Sequence, residues 1–470
     1  MFATRVNRSL ISAFAAVFIL VGCKGSGSSS AIPQSLTNWT WESGSQTANT
    51  LGYYDTASKG AATTTSQPSA RSAAMSWKDP SGQFWVFSGA GAVNDMWKFN
   101  TTSLQWAWIS GNSSTTNSVA GTYPVTSGTA GANYIPGQRN LGATWVDSSG
   151  NLWMFGGYGT DGNGVIGYMN DMWSFSPATN WWTWEGGSKG AGSLAAAPNW
   201  GTQGVASSSN QPNPRSSSAT WTDASGNFYM FGGEGYLNGT TAMHNDLWQY
   251  NPATKLWTWI NGSQSTNVSG SYGTAGVATS TNLPGARQSA TTWAYGGFFW
   301  MFGGIGIDSS GGMGELNDLW KYDLSTKLWT WVGGSNVINA VGNYGTNNVA
   351  ASTNQPGARY GAASWVDTSG NLWIFGGYGI NATGTPVNLN DIWKYQISTN
   401  QWVWFNGSYN GNSPGYYGTL STLSSSNIPG SRYYSARWTD SSGNFWMYGG
   451  SGLDSTGSNG NLGDVWKFAP

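Results

Sequence analysis

The sequence predicts an all-β fold: a six-bladed β-propeller with four antiparallel strands per blade. Three observations predict it. A segment of about 72 residues recurs six times. Each copy reads as four short strands joined by turns. Helical periodicity is absent throughout. The copies open on Arg71, Arg139, Arg215, Arg287, Arg359 and Arg432, spaced 68, 76, 72, 72 and 73 residues apart. Radial repetition of four-stranded sheets is the propeller solution to the edge-strand problem.

The elements follow in order within each copy. Strand a runs from the Arg to a Trp, as in Arg359 to Trp365. Strand b is an apolar-aromatic run ending in Gly-Gly, as in Leu372 to Gly377. Strand c carries Asn-Asp-x-Trp, with Asp95, Asp171, Asp246, Asp318, Asp391 and Asp464 at its start. Strand d carries Trp-x-Trp, the alternation of a half-buried strand. Asp-x-Ser-Gly-Asn turns, as in Asp147 to Asn151, join a to b with Asx and Gly chemistry. The fourth copy uses Ala294 to Gly297 instead. The chain begins with a Trp-x-Trp at Trp39/Trp41 and ends after the sixth strand c. The strand around Trp39 is therefore expected to complete the last blade and protect its edge.

Gly-Gly after an apolar strand, with Asn-Asp-x-Trp and Trp-x-Trp downstream, resembles the Kelch repeat. The resemblance spans residues 36–470. The period exceeds the usual ~50 residues of that repeat, and Ser88-Gly89 departs from Gly-Gly in the first copy.

Residues 1–22 read as an export signal. Arg5 and Arg8 form a basic region, and Ile11 to Val21 an apolar run too short to span a bilayer. Leu20-Val21-Gly22-Cys23 resembles the lipobox of bacterial lipoproteins. The resemblance implies lipidation of Cys23, which is also the one cysteine of the chain. Lys24 points to the outer membrane rather than retention in the inner one. The lipobox resemblance thus implies the cell envelope of a Gram-negative bacterium, and acyl chains at ~0.8 kcal/mol per buried methylene would anchor the protein there. Residues 23–35 read as the lipidated Cys and a flexible tether.

Composition excludes several function classes. Lys plus Arg is 19 and Asp plus Glu is 20, which argues against nucleic acid as a partner. One Cys and one His, His244, leave no Cys-cluster or multi-imidazole metal site. Galactose oxidase is an enzyme relative implied by the Kelch resemblance, but its copper site needs two His and a Tyr–Cys link. Copper-radical activity is therefore not expected. Sialidases also use six blades, and their Ser-x-Asp-x-Gly-x-x-Trp box is missing here. Bacterial sialate mutarotase, a six-bladed Kelch protein, keeps a sugar epimerase open as an alternative.

Trp numbers 31, and 29 of these fall in the four strands, where they are expected to pack blade on blade. From the last Trp of strand d the next Arg follows after 28 to 31 positions, so the linkers are long. Tyr54, Tyr272, Tyr344 and Tyr417 each lie 13 residues after a Trp-x-Trp, and Trp200-Gly-Thr reads as a displaced copy. Strand alternation puts these linkers and the b–c loops on one face, where binding residues on a rigid scaffold belong. The first b–c loop, Ala90 to Val93, is short and would leave a gap in that rim. The six arginines ring the same end. They are candidate ligand-binding residues with the four tyrosines, and each can also pair with its own blade's strand-c Asp. Kelch adaptors place arginines similarly at a peptide pocket. Ca²⁺ at Asp161-Gly-Asn-Gly or Asp454-Ser-Thr-Gly is conceivable; turn chemistry explains both more simply, and no cofactor is expected. The functional expectation is a non-catalytic, monomeric binding module for a glycan or an envelope protein. The sugar-active enzyme and an envelope scaffold are its alternatives.

Overall fold

In the computed structural model, chain contacts separate Met1–Ser35 from Leu36–Pro470. Residues 38–113, 118–192, 197–237 and 239–470 are described. The lipobox and tether lie outside them. Among the described residues no helix is long and apolar enough to cross a membrane.

The alternating Trp, Phe and β-branched residues form repeated four-strand antiparallel sheets. In the copy that opens on Arg71, Met75–Lys78, Phe84–Phe87, Met96–Asn100 and Gln105–Ser110 pair in chain order. Copies two to five repeat this order. In the sixth, strands Ala436–Thr439, Phe445–Tyr448 and Val465–Phe468 are joined by Trp39–Ser43, which pairs antiparallel with Val465–Phe468. The N-terminal strand thus supplies strand d of the last copy.

Two details differ from the sequence expectation. Strand a is broken. A two-residue piece at the Arg is followed by a residue with positive φ, and only then by the longer strand. The interrupting residues are Ala73, Leu141, Ser217, Ser289, Gly361 and Tyr434, with φ between 54° and 64°. Second, the b–c loops of copies two to five are mostly strand. Leu152–Thr160 and Ile166–Ser176, for example, continue past Gly-Gly as a hairpin. Only the tips, such as Asp161 to Val165, are turns. The first b–c segment is indeed short, with Ser72 bridging Ala90 directly.

The positive-φ residues are not isolated strains. Each donates its N–H to the carbonyl of the equivalent residue in the preceding copy. Leu141 bonds Ala73, Ser217 bonds Leu141, Ser289 bonds Ser217, Gly361 bonds Ser289, Tyr434 bonds Gly361, and Ala73 bonds Tyr434, at 2.8–3.0 Å. The six bonds form a cycle. A left-handed Leu or Tyr costs roughly 1–2 kcal/mol, and the shared hydrogen bonds offset that cost.

Tryptophan packs copy on copy, as its positions predict. Trp77, Trp145, Trp221, Trp293 and Trp365 each donate the indole N–H to a strand-b carbonyl of the next copy. Trp438 stacks on Phe84 of the first copy, with centroids 4.7 Å apart and planes at 3°, as Trp145, Trp221 and Trp365 stack on Phe228, Phe299 and Phe445, but its indole N–H finds no partner among the described residues. The first glycine of Gly-Gly makes this approach possible. A Cβ on Gly156 would lie 2.6 Å from the carbonyl oxygen of Arg215 in the next copy, and φ there is 63°.

Candidate functional site

The six arginines and their aspartates pair within their own copies. Each guanidinium grips its Asp through two nitrogens, at 2.6–2.9 Å, and the paired side chains are at most 1% exposed. The remaining donors reach carbonyls; in the fourth copy Arg287 bonds Gly285 and Gly303. Burial works against the Arg287 charge, and Asp318 outweighs it and raises the guanidinium above its usual range. Removing one partner of such a pair costs about 3–5 kcal/mol, because the other is left charged and buried.

The candidate tyrosines join the same networks. Tyr54, Tyr272, Tyr344 and Tyr417 donate their hydroxyls to Asp95, Asp318, Asp391 and Asp464 at 2.6–2.7 Å. The strand-c Trp two residues on donates to the same carboxylate oxygen, as Trp320 does to Asp318. Tyr123 does likewise to Asp171; its 15-residue spacing hid it from the 13-residue pattern. Trp200 fills the equivalent place in the third copy, packed against the core cluster that holds Trp248 and Trp257. All ten candidate residues are therefore spent on holding the start of strand c to the start of strand a. A ligand must be met by other side chains.

Further candidate side chains lie one register position beyond five of the six arginines. There the structure aligns Asn140–Tyr158–Tyr168, Ser216–Glu234–Met243, Gln288–Ile305–Glu315, Tyr360–Tyr378–Asn388 and Tyr433–Ser451–Asn461 across the strands. Arg, Asp and most of the Gly-Gly pairs repeat around the molecule, whereas this row changes in every copy. It is aromatic in some copies and acidic or amide-bearing in others.

Two parts of the row form surfaces. Tyr158 and Tyr168 meet edge to face at 5.0 Å, and Tyr168 donates its hydroxyl to Glu234 Oε2 at 2.6 Å. Burial, then the Glu234 hydrogen bond, raise the Tyr168 hydroxyl above its ordinary range. With Asn140, Gln288 and Tyr236 they line a groove of about 520 Å³. Tyr158 is 40% exposed there. On the other side Tyr360, Tyr378, Tyr433 and Tyr434 pack ring on ring at 5.0–6.0 Å. Tyr434 reaches across to Ser289, with the two hydroxyl oxygens 2.7 Å apart. Burial pushes the Tyr434 hydroxyl up to about 12, and the Glu234 charge adds to this. The floor of the groove includes Leu141 and Ser217, two members of the hydrogen-bonded cycle.

The acidic loop motifs are stapled down. Asp161 Oδ1 accepts from the N–H groups of Asn163 and Val165, and Oδ2 from that of Ala191 in the linker. Asp454 receives Thr456, Ser458 and Ala48 in the same way. Among the described residues no group of three or more His, Cys, Asp or Glu is placed to hold a metal ion. His244 is buried; its Nε2 lies 2.8 Å from Asn213 Nδ2, and burial followed by the Arg215 charge lowers its pKa to about 4.

No family model matches the chain. Among solved structures it is similar to one entitled "Structure of YjhT", with a TM-score of 0.50 and 14% sequence identity, covering 85% of this chain and 95% of that one. At that identity the likeness concerns the fold. It agrees with the class the sheets define: an all-β repeat of four-strand antiparallel units, consistent with a β-propeller.

Proposed function

We propose that this chain is a six-bladed Kelch-type propeller, closed by its N-terminal strand, that binds a glycan at the mouth of its central channel. The hydrogen-bonded cycle and the pairing of Trp39–Ser43 with Val465–Phe468 support the closed ring. The groove between Tyr158, Tyr168 and Glu234 carries the ligand reading. Exposed tyrosine faces stack on the C–H faces of sugars, while a carboxylate and two amides exchange hydrogen bonds with hydroxyls. Lipidation at Cys23 would hold this surface at the outer membrane of the envelope. Ca²⁺ has no part in this reading, and the binding unit is a monomer.

The test is a glycan array on the full chain in detergent, followed by calorimetric titration of the best ligand. Tyr158→Ala and Glu234→Gln should each weaken binding about tenfold or more. Lys327→Ala, in the turn between strands c and d, should not. Capture of no glycan, or equal affinity in all three variants, defeats the proposal; capture of an envelope protein instead would favour the scaffold alternative. Glu234 and Glu315, at matching registers of neighbouring copies, are the observation that favours an epimerase. Exchange between anomers of the bound sugar, followed by proton NMR, would reveal it.

A further inference from the structure

Beneath the hydrogen-bonded cycle lies a second cavity, of about 160 Å³, lined by the innermost strands of all six copies. Five positions after each opening arginine, the copies carry Ser76, Thr144, Thr220, Thr292, Ser364 and Arg437. Five hydroxyl side chains are thus followed by one guanidinium. Among the described residues the other six arginines are each paired with an aspartate, and Arg437 has no carboxylate beside it. Ser76, Thr144, Thr220 and Thr292 line the cavity with it, and among the described residues no side chain hydrogen-bonds their hydroxyls. Each innermost strand pairs on one side only, which leaves its inner edge toward the axis.

Arg437 is half-buried, and no carboxylate compensates the solvent its guanidinium has lost. Desolvation lowers the Arg437 pKa to about 10, and no charge on the protein offsets it. A Ser or Thr at this register serves the other five copies, so packing does not demand an arginine. Its planar fork, in a chamber of hydroxyl donors, matches an anion that accepts several hydrogen bonds at once.

We infer that the chamber under the cycle binds a small oxyanion, tetrahedral or carboxylate, through Arg437 and the hydroxyls of Ser76, Thr144, Thr220 and Thr292. The volume has room for one such ion together with several waters, a water's share of liquid being ~30 Å³. The site is separate from the glycan groove, which lies on the other side of the cycle, and it stands or falls independently of that reading.

The full chain in detergent would be titrated calorimetrically with sodium selenate, and in a second arm with sodium acetate, at constant ionic strength. Crystals soaked in selenate would be read by anomalous scattering. Saturable one-to-one binding is expected in at least one arm. Arg437→Gln should weaken it at least about tenfold, and Thr220→Val about threefold. In the absence of anion, Arg437→Gln should melt near the wild-type temperature, because the half-buried guanidinium has no carboxylate partner to lose. Tighter selenate than acetate, or the reverse, upholds the site and sets its preference. No saturable binding in either arm, or unchanged affinity in folded Arg437→Gln, overturns it.

Discussion

His244 shows how one residue can matter without touching a ligand. It is the one histidine of the chain, fully buried, and its neighbours are Asn213 and the Arg215–Asp246 pair. Its folded pKa, about 4, lies below the unfolded value of ~6.5. The unfolded chain therefore binds the proton more readily. Stability from this group is complete above pH 6.5 and is lost as pH falls toward 4, by on the order of 3 kcal/mol. Urea midpoints at pH 7 and pH 5 should differ in the wild type, and His244→Gln should narrow that difference. Equal differences in the two proteins would show that another group governs the acid limb. The residue scale also holds what sequence spacing hid. Tyr123 escaped a 13-residue rule by two positions, although its hydroxyl does the work of Tyr272 and Tyr344. Arg437 stands out only when the six copies are stacked register on register, where one cation replaces a hydroxyl.

At the scale of the element, strands and turns were read almost directly. Asp-x-Ser-Gly-Asn makes the a–b turn for the reason its chemistry suggests. Asp147 Oδ1 accepts the N–H groups of Ser149 and Asn151. Gly-Gly reads as the end of strand b, yet the strands continue past it and the b–c connections are hairpins. In copies two, four and six the tip is pinned to the linker that follows strand d by one carboxylate, that of Asp161, Asp308 or Asp454. Asp308 is an example: Ser310, Gly312 and Ile338 donate their N–H groups to it. Burial opposes its charge, yet these donors together hold its carboxyl below the usual range. Asp308→Ala should therefore loosen the hairpin and the linker around Ile338 by about 1–3 kcal/mol. Hydrogen exchange at Ile338 and Gly312 should accelerate, while the core strand Phe298–Ile307 stays protected near Phe302. Unchanged exchange at Ile338 would show that the carboxylate does not hold the linker.

For the whole molecule, the question is how the ends meet. Trp39 is 1% exposed and packs edge-on against Trp365, Phe375 and Trp466, the first two from the fifth copy. Trp41 meets Tyr417 at 5.4 Å. Deleting residues 36–42 would remove this packing, worth about 3–5 kcal/mol for one large aromatic, and would expose the edge of Val465–Phe468. The melting temperature should fall by at least about 5 °C and the protein should become prone to associate. An unaltered melting curve would refute closure through the N-terminal strand.

The sequence by itself determined the period, the four strands of each copy, the turn chemistry and the matching of six arginines to six aspartates. These are local or nearly local: each is decided by side-chain alternation, Asx and Gly geometry, or charge complementarity within one repeat. Only the tertiary structure decided which residues of different copies face one another. The cycle of left-handed residues breaks strand a because each inner turn must hand a hydrogen bond to the next copy. The same convergence brings Tyr158, Tyr168 and Glu234 to one groove, and isolates Arg437 among hydroxyls near the axis. No spacing along the chain encodes those meetings, since they arise from how one four-strand sheet packs on the next.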